Sequence, residues 1–75
     1  MTSEFAAVLR DQIAATQDRL LAARRGNLPR QVYRHSARLL DLLDRAASEG
    51  VDTTGWVPED LLAVASASCS EPQRH

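Results

Sequence analysis

The stretch RRGNLPRQVYRHSARLL carries Arg24, Arg25, Arg30, Arg34 and Arg38, with Tyr33 and His35 between them. No carboxylate interrupts it, and none appears until Asp41. Guanidinium groups offer paired hydrogen bonds to carboxylate and phosphate, so the chemistry that suits this cluster is capture of an anion. All nine basic residues are arginine and none is lysine. Biased base composition can produce that choice, so the positions of the arginines say more than their type. His35 is the one nearby proton carrier, but no carboxylate is spaced to orient it as a general base needs. His35, Cys69 and His75 lack the spacing of a metal-binding set. On this reading the chain has no catalytic residue, no metal and no cofactor.

The elements that must position these residues read as all-α. Phe5, Leu9, Ile13, Thr16, Leu20 and Ala23 recur at helical spacing and form one stripe, which predicts a first helix over about 3–25. Glu4 suits its positive end, and Arg24 and Arg25 suit its negative end. Gly26 is the expected left-handed residue that stops it. Asn27 or Leu28 can cap a second helix over about 29–49, with Pro29 in its first turn. Its expected buried arc is Val32, Ser36, Leu39, Leu40, Leu43, Ala46 and Ala47, with Tyr33 on the flank. Arg34, Arg38, Asp41 and Arg45 form its outer row, where Asp41 can pair with Arg38 and Arg45. Gly50 then stops the helix, and Val51 supplies the apolar contact of a Schellman motif.

Two long helices with a short connection predict an antiparallel hairpin. VDTTGWVP reads as a turn, leading to a short third helix over about 58–67 near the open end of the hairpin. Trp56 is expected to cover Phe5, Leu9 or Leu43 there. The domain is expected to span 1–67, with 68–75 as a flexible tail.

The 75 residues make one domain at most. A chain of this size buries only about 60% of its unfolded surface. Twelve of its apolar residues are alanine, which contributes little on burial. Apolar residues also remain outside the hairpin stripes: Ala7, Ala14 and Leu21 recur every seven residues, and Leu42 lies beside His35. These four are the expected oligomer interface, with a homodimer completing a four-helix bundle. No apolar run is long enough to cross a bilayer. The start, MTSEFAAVLRDQ, does not read as a signal peptide, and one cysteine gives no disulfide framework. The expected location is cytoplasmic.

LRDQIAATQDRLLAARR resembles the first helix of AroQ-type chorismate mutases, whose pattern matches Leu9, Arg10, Ile13, Leu20, Leu21 and Arg25. The resemblance implies Arg10 and Arg25 as carboxylate binders. Ala14 and Gln17, however, stand at the family's acidic positions, Gly26 and Pro29 interrupt the helix, and no lysine is present. The enzymatic reading is therefore set aside.

In a hairpin, both flanks of the break at 26–29 meet at one tip. Arg30 and Arg34 fall in the first turns of the second helix, where the dipole is already positive, and each exposed cation there costs about 0.3–1 kcal/mol. A local rule broken without visible compensation points to a binding role. The expected function is a small non-catalytic interaction module, an accessory or regulatory subunit. Arg24, Arg25, Arg30, Tyr33, Arg34, His35 and Arg38 would meet an acidic protein surface. The alternative is a regulator that grips nucleic-acid phosphates with the same tip. The net charge of -1 counts against that alternative.

Overall fold

The computed structural model describes residues 4–70, which form three helices: α1 (Glu4–Arg25), α2 (Pro29–Ser48) and α3 (Glu59–Ser70). The predicted stripe buries Leu9, Ile13, Thr16, Leu20 and Ala23 on α1. Its first member, Phe5, stays 41% exposed. On α2 the buried residues are Ser36, Leu39, Leu42 and Ala46, with Val32, Leu40 and Leu43 partly buried against the same core. Ala47, expected inside, is exposed. Leu61 and Ala65 of α3 complete the core. Each fully buried leucine or isoleucine contributes about 1.5–3 kcal/mol relative to leaving it in water.

Leu42 is a correction. The sequence pattern assigns it to an oligomer interface, but at 1% exposure it lies inside the core of the single chain. The reason is that α2 packs against both α1 and α3 and so buries a wider arc than one neighbour would require.

The two helix ends close by the same hydrogen bonds. After α1, the Leu28 amide donates to the Ala23 carbonyl (3.0 Å) and the Asn27 amide to Arg24 (3.1 Å). This is a Schellman motif, but its left-handed residue is Asn27 (φ 58°), not Gly26. The helix ends at Arg25 as predicted, but the left-handed residue falls one place later, on asparagine, which tolerates that region better than other non-glycine residues do. After α2, the Val51 amide donates to Ala46 (2.8 Å) and the Gly50 amide to Ala47 (3.1 Å), with Gly50 at φ 74°. Val51 packs on the core as the sequence predicts.

The segment 51–58 is tied locally and to α1. The Asp52 carboxylate accepts from the Thr54 amide (3.0 Å) and hydroxyl (2.6 Å). A turn comes next with Gly55 at φ 83°, closed by the Trp56 amide on Thr53 (3.0 Å). The Gln17 side-chain amide donates to the Trp56 carbonyl (2.8 Å), and the Arg10 guanidinium lies 5.4 Å from the Trp56 ring centroid. Trp56 thus packs on the core, but its polar partners are Arg10 and Gln17.

The third helix departs from expectation in length and direction. It begins with the Leu62 amide on the Pro58 carbonyl (2.9 Å) and continues through Ser70, past the expected end at 67. Leu61, Ala65 and Ser68 recur at i, i+4 and i+7, so one face goes on packing after large side chains run out. Ser68 reaches the break between α1 and α2. The third helix therefore runs antiparallel to α2, back to the tip, and does not stay at the open end. Of the expected tail, 71–75 lie outside the described residues.

Candidate binding groove at the helical break

Four segments meet around the turn at 26–28 and enclose an open groove of about 840 Å3. The last turn of α1 supplies Arg24. The connection supplies Asn27 and Leu28. The first turns of α2 supply Pro29, Arg30, Val32 and Tyr33, and α3 supplies Ser68. The local sequence explains why this wall stays open. Leu28 is the N-cap of α2 and makes no side-chain capping bond, and no acidic residue stands in the first turn. Asn27 cannot serve as that cap, because its left-handed conformation is spent closing α1.

The lining joins two chemistries. Leu28 and Tyr33 are 43% and 46% exposed, and Val32 is half-buried between groove and core. Arg24 and Arg30 are exposed, and among the described residues no carboxylate lines the groove and neither arginine has an ion-pair partner. Such a surface presents positive charge beside an apolar patch.

The remaining predicted site residues are placed differently. Arg25 and Arg34 are exposed but do not line the groove. Arg34 and Arg38 continue from Arg30 at intervals of four, giving a cationic row along α2. Arg38 is 3.7 Å from Asp41, an exposed pair that contributes little to stability. The Asp41–Arg45 pair does not form among the described residues. His35 is half-buried, outside the groove, and is not hydrogen-bonded to a carboxylate among the described residues. Ala7, Ala14 and Leu21 are exposed on α1. Ala14 also borders a recess of about 280 Å3 beside Trp56.

The sequence pattern does not mark Asn27, Leu28, Pro29, Val32 or Ser68 as lining. The first four sit in the arginine-rich stretch, but there they read as cap, first-turn and core residues. The signal that finds Ser68 is its seven-residue spacing from Leu61. Among the described residues, no three His, Cys, Asp or Glu side chains are grouped to hold a metal, and no helix is long and apolar enough to cross a membrane. In comparisons with known proteins, the chain matches no protein-family model, no curated protein and no solved structure.

Proposed function

We propose that the protein is a small non-catalytic interaction module, an accessory or regulatory subunit whose basic tip engages an acidic surface of another protein. The observation that carries this reading is the meeting of Arg24 and Arg30, from opposite sides of the chain reversal, in one groove that among the described residues has no carboxylate. Arg34, and Arg25 on the adjoining turn, extend the positive field. Arg30 sits at the positive end of its helix dipole, which disfavours a cation, so its position is explained better by an external anion than by the fold. The module pairs as a homodimer through the exposed Ala7, Ala14 and Leu21 of α1, with Val8, 55% exposed, alongside.

The test is charge reversal. Arg30→Glu with Arg34→Glu should leave circular dichroism unchanged and the urea midpoint equal or slightly higher. Retention of an acidic partner in affinity purification from the native cell should be lost. Unfolding of the double variant would make the tip structural and defeat the reading. Light scattering across concentration tests the dimer, and a monomer at high micromolar concentration would refute it.

A second reading, binding to a nucleic-acid backbone, draws support from the exposed Tyr33 beside the two arginines, where a base could stack. Phosphate binding would give a log affinity falling with log salt at a slope of about -0.9 per neutralised duplex phosphate. A flat titration with DNA and RNA at low salt removes it.

A further inference from the structure

We infer that the groove takes a short acidic segment carrying one aromatic anchor, and does not act as a featureless cationic patch. This rests on the proposed acidic-partner reading and narrows it. Two properties of the groove carry the inference. It is a depression of about 840 Å3 open to solvent, far wider than an inorganic ion needs. Its lining is partly apolar: Leu28, Val32 and Tyr33 share it with Arg24 and Arg30. Where apolar and cationic side chains share one groove, a single buried side chain can supply most of the binding energy, while the charges orient and select the partner. Among the described residues the lining holds two arginines and no carboxylate, a charge that an acidic ligand complements. Tyr33 offers a ring against which an aromatic side chain can pack edge to face. The occupant is therefore an acidic peptide segment with carboxylates on both sides of a phenylalanine-like residue.

Fluorescence anisotropy on the full chain tests this with three dye-labelled probes. One is a peptide of glutamates flanking a central phenylalanine, the second replaces that phenylalanine with alanine, and the third is a single-stranded oligonucleotide of equal charge. The phenylalanine peptide should bind at least about tenfold more tightly than the alanine peptide. Tyr33→Ser or Leu28→Ser should shrink that ratio to about twofold, with circular dichroism showing an intact fold. Equal affinity for the two peptides would overturn the anchor while leaving the acidic-partner reading standing. No binding of either peptide would remove both. Tighter binding of the oligonucleotide would overturn the peptide assignment in favour of a stacked nucleic acid.

Discussion

After Arg25 and after Ser48 the backbone closes in the same way, with an outer and an inner hydrogen bond around one left-handed residue. The two breaks differ in the side chains placed beyond the closure. Beyond Ser48 the left-handed residue is Gly50, Val51 turns onto the core, and Asp52 caps the next turn through Thr54. Each residue there satisfies a local rule. Beyond Arg25 the left-handed residue is Asn27, the next helix starts from an apolar N-cap, and Arg30 sits where the dipole opposes it. Both ends are equally well closed, so the misfit at the first is not a failure of backbone geometry. It lies in side chains that gain little inside the molecule, and those side chains form the groove.

The largest change should come from the better-adapted break. Gly50→Ala puts a methyl group on a residue at φ 74° without touching any neighbour within 4 Å, so the loss is one of backbone conformation alone. Urea unfolding should show a stability loss of about 1–2 kcal/mol. A loss near zero would mean that the turn shifts to accommodate the side chain, and the two breaks would no longer be equivalent. The opposite sign is expected at the first break. Leu28→Asp supplies the missing cap and a favourable charge, and should raise stability by about 1 kcal/mol in the same assay. It also removes an apolar wall of the groove, so peptide binding should weaken as the fold strengthens. Asn27→Gly should add a smaller gain, about 0.5 kcal/mol, because glycine enters the left-handed region freely but loses more entropy on folding.

The smallest effect is a pH dependence at the second break. The hydroxyl and then the amide of Thr54 hold the Asp52 carboxyl below its ordinary 3.8. A depressed carboxyl stabilises the fold fully above its unfolded value, and that contribution fades as pH falls through the lower folded value. Urea midpoints measured below about pH 4 should therefore decline less steeply in Asp52→Asn than in the wild type. Parallel curves would show that the turn does not depend on the charge.

Much of this architecture is written locally. The stripe from Leu9 to Ala23 and the pairing of Gly50 with Val51 need only helical periodicity and the steric freedom of glycine. The residues that mislead are those whose role depends on distant chain. Leu42 looks surplus because a two-helix hairpin gives it no neighbour, and α3 changes that. Ser68 looks like tail because its face has too little hydrocarbon to announce packing. Asn27 is overshadowed by Gly26 beside it, which reads as the stronger stop signal. The arginine cluster itself is legible from charge alone. Which of its members share a groove is not, because that depends on how α1 and α2 meet and on where α3 ends.

The single tryptophan has a practical consequence. Trp56 is seated by Arg10 and Gln17 of α1, on the segment that leads into α3, and it does not line the groove. Its emission can therefore report whether that connecting segment has come loose, even with a tryptophan-free peptide bound. The chain carries its own optical gauge of integrity, separate from the surface being titrated.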